Sequence, residues 1–282
     1  MADPGTSIRS LLTQAVASLP GDSARLDAEV LLAACLDMPR SYLHAWPERT
    51  IDDATRQQYE NWIQRRANGE PVAHLTGVRE FWSLPLTVTP DTLIPRPETE
   101  TLVELALAKL PDDRACRVAD LGTGSGAIAL AIASERPRCV IIATDNSASA
   151  LAVAQENAER LGIRNVHFVA GHWCEPLPDS LFDFILGNPP YIAVGDPHLD
   201  TGDVRYEPPT ALAAGSDGLD ALRTITSTAR VHLRPGGWLV VEHGYDQGDY
   251  VARLFCASGY TEVSTHSDSA GLSRVTMGRH PA

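Results

Sequence analysis

The sequence predicts an α/β chain: a mostly parallel sheet with an antiparallel edge pair, preceded by a small helical N-terminal domain. Three observations carry that expectation. Beyond Arg117, short apolar strands alternate with helical patterns, as in a parallel sheet covered on both faces. Up to about residue 75 the apolar residues recur only at helical spacing. After the last helical pattern, two strand-like segments follow one another across a short connection, which reads as an antiparallel edge. A length of 282 residues accommodates one large domain and a small partner.

Taken in order, Ile8, Leu11, Leu12, Ala15 and Val16 share one helical face, and Leu26, Val30, Leu31 and Ala34 share another. Tyr59, Trp62 and Ile63 add a third stripe before Arg65-Arg66 and Gly69. Short Pro/Gly/Asp-rich breaks separate the stripes, so residues 1–75 read as a helical bundle. From Phe81 to Pro97 the period changes. Leu84, Leu86 and Val88 alternate as in a strand, punctuated by Pro85, Pro90, Pro95 and Pro97, and residues 76–97 read as a hairpin or linker. Residues 98–282 form the larger domain. Its expected strands are Arg117–Leu121, Val140–Thr144, Val166–Ala170, Phe182–Leu186 and Trp238–Glu242. Helices are expected at Ala127–Glu135, Ala148–Leu161, Leu219–Leu233 and Gln247–Ser258, and the late strand pair at Thr261–Thr265 and Ser273–Met277.

Composition narrows the function classes. Twenty-three basic against 36 acidic residues give a net charge of −13, which disfavours a nucleic-acid binder and suits a basic protein partner. Lys109 is the only lysine and has no G-K-[ST] around it, which argues against a Walker-type site and Schiff-base chemistry. The five cysteines are widely spaced, without a C-x-x-C pair, and form neither a disulfide framework nor a zinc ribbon. Met1–Ser10 carries no apolar signal region and no apolar run approaches a membrane span, so a cytoplasmic protein without membrane contact is expected.

Two motifs carry chemistry. The first runs from a strand into a helix as Asp120-Leu121-Gly122-Thr123-Gly124-Ser125-Gly126. Glycines there let the backbone turn sharply and approach a ligand at the carboxyl edge of the sheet. Asp145 ends the next strand, where a carboxylate can accept both hydroxyls of a ribose. Together they point to a nucleoside ligand, with a nicotinamide cofactor still open and a plain helix-sheet turn, capped by Asp145, as the bland alternative. The second motif, Gly187-Asn188-Pro189-Pro190-Tyr191, closes the fourth strand at the same edge. Two prolines fix φ and hold the preceding residues extended, giving a rigid platform with one side-chain amide and one aromatic face. A strand-terminating proline turn explains the prolines but neither the Asn before them nor the Tyr after.

These residues together resemble a class I, Rossmann-like S-adenosylmethionine methyltransferase of the Asn-Pro-Pro-Tyr type, which modifies a planar, non-basic nitrogen. More of the chain is similar to one family, the HemK/PrmC-like methyltransferases that modify the glutamine of peptide chain release factors. The resemblance is carried by Gly69–Gly77 with Glu80-Phe81, by Leu93-Ile94-Pro95-Arg96-Pro97-Glu98-Thr99-Glu100, and by Asp203–Pro208 and Glu242-His243-Gly244. It extends from the helical N-terminus to Gly278. Gly187 departs from it, since serine is common there.

The resemblance implies methyl transfer from S-adenosylmethionine to the side-chain amide nitrogen, N5, of the glutamine in the basic Gly-Gly-Gln loop of release factors, by a monomeric enzyme of translation termination that contacts no nucleic acid directly. Gly122, Thr123, Gly124, Ser125 and Gly126 would cradle the methionine part, Asp145 would hold the ribose and Trp173 would lie beside the adenine. Asn188 would touch both cofactor and substrate. Asn188, Pro189, Pro190 and Tyr191 would grip the glutamine, with Asn188, Pro189 and Tyr191 forming the catalytic platform. The 1–75 bundle would recognise the substrate. Alternatives are glutamine methylation of a large-subunit ribosomal protein, adenine-N6 methylation of DNA, and a non-catalytic cofactor-binding adaptor that would not need Asn188 and Tyr191. His167, His172 and Cys174 lie close in sequence but lack a fourth ligand, and no metal is expected. Arg96 and Glu98 either order the pocket or pair with each other, and Asp196, Asp200, Asp203 and Glu207 read as a solvated loop or a complement to a basic substrate.

Overall fold

The computed structural model describes residues 6–282; Met1–Gly5, part of the first expected domain, lie outside the described residues. The chain divides into two compact units, at residues 1–77 and 78–282. The first holds α1 (Ile8–Ser18), α2 (Ala24–Leu36), α3 (Arg40–Ala45), α4 (Asp53–Ala67) and α5 (Val72–Thr76). Side-chain caps start two of them, α1 and α4: the Ser7 and Asp52 side chains accept the N–H groups of Ser10 and Thr55. The first and third stripes meet in one core, in which Ile8, Leu31, Leu32, Leu43 and Tyr59 are almost fully buried. The second stripe is corrected: of its four residues only Leu31 enters the core, while Leu26 and Ala34 are exposed, because α2 turns Ala24, Ala28, Leu31 and Leu32 inward instead.

The second unit opens with a hairpin, β1 (Val78–Phe81) and β2 (Leu84–Thr87), joined by Trp82 and Ser83 at φ 52° and 59°. Two left-handed residues match the twist of a two-residue hairpin. Neither is glycine or asparagine, so the turn carries no signal in the sequence, and β1 is a strand beyond those expected. Then follow α6 (Glu100–Lys109), β3 (Arg117–Leu121), α7 (Ala127–Glu135), β4 (Val140–Asp145), α8 (Ala148–Leu161), β5 (Val166–Ala170), β6 (Phe182–Gly187), α9 (Asp220–Thr228), β7 (Leu233–Glu242), α10 (Gly248–Ala257), β8 (Thr261–Ser267) and β9 (Ser273–Arg279).

The seven-stranded sheet has the order β5-β4-β3-β6-β7-β9-β8, parallel except where β9 pairs with β7 and β8. The antiparallel pair at the edge is therefore present, with the last strand inserted inside its predecessor. Two departures from the expected elements are local. The helix expected over Leu219–Leu233 ends at Thr228 and tightens into a 3-10 turn, Ala229–His232. The strand expected from Trp238 begins at Leu233, running through Pro235-Gly236-Gly237, residue types that usually mark a turn.

Alternate residues of the central strands feed two cores. Val118, Phe184, Leu186 and Val240 pack on one face with α6 and α7, while Ala119, Leu121, Ile185 and Leu239 pack on the other with α9 and α10. Helix α7 is apolar all round and buried from Ala127 to Ala133, as suits a helix covered on both sides. No described helix is long and apolar enough to cross a membrane. The five cysteines are free.

Asn157 on α8, fully buried, ties the hairpin to the loop after β3. Its Oδ1 accepts the Thr87 N–H at 2.7 Å, and its Nδ2 donates to the carbonyls of Thr87 and Ser125 at 2.9 and 3.0 Å. Replacing Asn157 with Leu strands these backbone groups and should lower stability by about 2–4 kcal/mol. Urea denaturation measures it, and a loss below about 0.5 kcal/mol, the size of an ordinary surface change, would refute the tie.

Candidate active site

Strands β3 and β6 are adjacent although β4 and β5 lie between them in sequence, so the chain reverses its direction of winding there. Crevices for ligands form at the carboxyl end of such a junction. Both motifs occupy it: β3 pairs with β6 in the register Leu121↔Gly187, so the loops starting at Gly122 and Asn188 leave the sheet side by side.

Beneath the first loop, Asp120 is fully buried; its Oδ2 accepts from the Thr123 hydroxyl at 2.6 Å and the Ala129 N–H at 3.2 Å. Burial pushes its carboxyl up to about 7, against those two hydrogen bonds. Gly124, at φ 56°, donates its N–H to Asp145 Oδ2 at 2.9 Å, while Asp145 Oδ1 accepts from Ser147 N at 2.9 Å. The cap of α8 is Ser147, whose hydroxyl oxygen accepts from Ala150 N. Asp145 thus braces the glycine loop and lines the cavity with its carboxylate, rather than serving as the helix cap. Trp173 lines the same cavity. It is held at φ 49°, its carbonyl accepts from the Thr144 hydroxyl at 3.0 Å, and a Cβ on Gly122 would meet its ring at 3.0 Å. Only glycine lets that backbone lie against the indole.

The resulting cavity, about 300 Å³, is lined by Gly122, Gly124, Asp145, Trp173, Asn188 and Pro190, among others. Thr123, Ser125, Gly124 and Asn188 also line a smaller adjoining recess, whereas Gly126 lies buried under the helix start. A second cleft of about 120 Å³ is lined by Arg96, Asn188, Pro189, Pro190 and Tyr191. Asn188 is common to all three. Its Nδ2 donates to Thr99 Oγ1 at 3.1 Å, which leaves its Oδ1 as the acceptor on offer. The Tyr191 hydroxyl donates to Glu242 Oε1 at 3.2 Å, and burial together with that carboxylate raises the phenol's pKa. Beyond the prolines the backbone is pinned: the carbonyl of Tyr191 accepts from Gln247 Nε2 and Ile192 N donates to the carbonyl of Leu212.

The structure decides between readings that the sequence leaves open. Arg96 does not pair with Glu98; its guanidinium donates to Glu207 Oε1, while Glu207 Oε2 accepts the Ile94 N–H at 3.1 Å. Glu207 is therefore no solvated loop residue, being 4% exposed, with its carboxyl raised by burial against the opposing pull of Arg96. The pair ties the segment before α6 to the segment after the second motif, across the cavities. Among the described residues no cluster of His, Cys, Asp and Glu could hold a metal. Sequence reasoning gave no role to Thr99 or Glu242. Their signals were weak, a hydroxyl at a helix start and an acid ending an apolar strand.

Residues 10–77 match the family described as PrmC N-terminal domain, and residues 99–203 match the one described as methyltransferase small domain. The release factor glutamine methyltransferase of Salmonella typhimurium is 52% identical over 92% of this chain and 93% of its own. That of Escherichia coli is 49% identical over 97% of each. A methyltransferase from Pyrococcus furiosus shares the fold at a TM-score of 0.55, with 18% identity over 79% of this chain and 100% of its own.

Replacing Glu207 with Ala leaves the Ile94 N–H without its acceptor and should cost about 1–3 kcal/mol. Hydrogen exchange at Ile94 should accelerate with it; unchanged protection there would show that the tie does not hold the segment.

Proposed function

The chain belongs to the release factor glutamine methyltransferase family, and from that premise we propose that it methylates N5 of the glutamine in the Gly-Gly-Gln loop of peptide chain release factors, with S-adenosylmethionine as donor. The observation that carries the reading is Asn188, with its Oδ1 on offer in the wall shared by the large cavity and the second cleft. The cavity suits the donor. It sets a carboxylate, Asp145, at a strand end for a ribose, an indole, Trp173, for a purine, and the glycine backbone at Gly122 and Gly124 for the amino-acid part.

When bound, S-adenosylmethionine supplies a methyl group on a sulfonium. The chain's own residues deal with the poor nucleophile, an amide nitrogen whose lone pair is delocalised into its carbonyl. Asn188 Oδ1 and the Pro189 carbonyl accept the two N–H groups and orient the nitrogen. Positive charge growing on that nitrogen strengthens both hydrogen bonds, so they stabilise the transition state more than the ground state. Tyr191 packs on the amide plane. No strong base is needed, because the alkylated nitrogen releases its proton readily. Alignment of the two reactants provides the rest of the acceleration. The helical unit recognises the release factor, whose loop is basic where this chain is acidic. The enzyme works as a cytoplasmic monomer.

Incubation with release factor and labelled donor should add one methyl group to the Gly-Gly-Gln peptide, read by mass spectrometry. Asn188→Ala should slow that transfer by roughly 10²–10³ with donor saturating. Turnover near that of the unmodified enzyme would sink the mechanism.

Asp145→Ala removes both the carboxylate of the cavity wall and the brace on Gly124. Calorimetry with the demethylated donor should show affinity reduced by about 1.5–3 kcal/mol, the range for a hydrogen bond to a charged group. Unchanged affinity would confine Asp145 to shaping the loop.

A further inference from the structure

The segment before α6 lends one charged side chain to the site. Arg96 lines both the second cleft and the smaller recess, which measures about 50 Å³. Every other residue lining that recess is uncharged, among them Thr123, Gly124 and Ser125 of the glycine loop and Ala127 and Ile128 at the start of α7. The large cavity has the opposite character: Asp91 and Asp145 line it, and no arginine or lysine does. A guanidinium carries five N–H donors in a rigid fork, so it can meet two carboxylates at once. Among the described residues Arg96 spends only Nη2, on Glu207. Glu207 lines neither recess nor cleft, and the Arg96 side chain remains 29% exposed.

We propose that Arg96 is a cofactor-binding residue, pairing in this recess with the α-carboxylate of the donor's amino-acid part. The inference deepens the S-adenosylmethionine reading above and rests on it. That donor carries a sulfonium, an ammonium and one anion, the carboxylate. Placed in the large cavity, the carboxylate would stand among like charges, Asp91 and Asp145. Placed in the recess, it meets the one cation there and the start of α7, where the helix dipole favours negative charge. Gly122 and Gly124 line both spaces, so a ligand lying along the loop spans them. The tie to Glu207 then has a second use. It fixes one edge of the fork and leaves the other for the ligand, in the charge-assisted geometry that arginine forms best with carboxylates.

The test is calorimetry on the full-length enzyme with two ligands that differ only in that group: the demethylated donor, S-adenosylhomocysteine, and its decarboxylated counterpart. The unmodified enzyme should bind the first about 10–100-fold more tightly, the range for a hydrogen bond to a charged group. Arg96→Gln should bring the two affinities to within about threefold of each other. Because that change leaves Glu207 buried and unpaired, Arg96→Gln is also combined with Glu207→Gln, which removes the stranded charge and should show the same collapse. Comparing two ligands on one protein separates contact from scaffolding, since a loosened pocket weakens both alike.

Equal affinities in the unmodified enzyme overturn the proposal without any variant. So does a preference for the carboxylate that survives both substitutions while the two affinities fall together, because Arg96 then acts only through its tie to Glu207. A raised KM for release factor in Arg96→Gln, with the donor preference intact, assigns Arg96 to the second cleft and overturns it too. An unmodified enzyme that binds neither ligand strikes the S-adenosylmethionine reading itself, an outcome distinct from all of these.

Discussion

The site depends on one register. Leu121 of β3 stands opposite Gly187 of β6, two strands far apart in sequence yet adjacent in the sheet. Had β4 and β5 been laid down between them, the glycine loop and the Asn-Pro-Pro-Tyr segment would emerge three strand spacings apart, on the order of 14 Å. Pairing them directly makes Asn188 a wall of the cavity that Gly122 and Asp145 also line. Everything else in the larger unit serves to hold these two exits still. The inner strands are buried on both faces, and β6 is buried throughout, so no slip of register is open without turning its side chains into the wrong core.

Two ties then bring residues from outside the sheet to this junction. Asn157 binds the β1–β2 hairpin to the carbonyl of Ser125, and the Arg96–Glu207 pair joins the segment before α6 to the segment after the prolines. Both are polar, each has a buried member in Asn157 or Glu207, and both cross long stretches of sequence. Apolar contacts would have supplied cohesion without direction. A buried amide with three backbone partners permits one placement, because any other leaves polar groups unsatisfied.

The sheet and its helices were legible because their signal is local: apolar runs bounded by glycine and proline, and helices such as Ala127–Glu135 that show no polar face at all. The glycine loop, Asp145 and the Asn-Pro-Pro-Tyr segment were legible because each residue type is unusual at its position. What escaped was set by distant partners. The turn at Trp82-Ser83 lacks the residues that announce left-handed geometry. Glu207 looked like one acid in a solvated run, and only its partners Arg96 and Ile94, more than a hundred residues away, make it an internal strut. Thr99 and Glu242 are ordinary residues whose significance lies in meeting Asn188 and Tyr191 in space.

The two strands that flank β6 each carry a buried acid at the site. Asp120, on β3, stands under the glycine loop through Thr123 and the start of α7; Glu242, on β7, stands behind Tyr191. Each has one oxygen without a hydrogen-bond partner among the described residues, and each carboxyl is pushed up to about 7 by burial. A folded-state pKa raised above the unfolded value means that the native state holds its proton more tightly. Both groups therefore favour the fold most below the ordinary carboxylate range near 4, and that contribution is lost as pH rises through about 7. Apolar residues at these positions would remove that cost. They would also remove the acceptors that orient Thr123 and Tyr191. Retaining two carboxyls where charging them weakens the fold is consistent with stability being set against the fixed direction of hydrogen bonds on either side of Asn188.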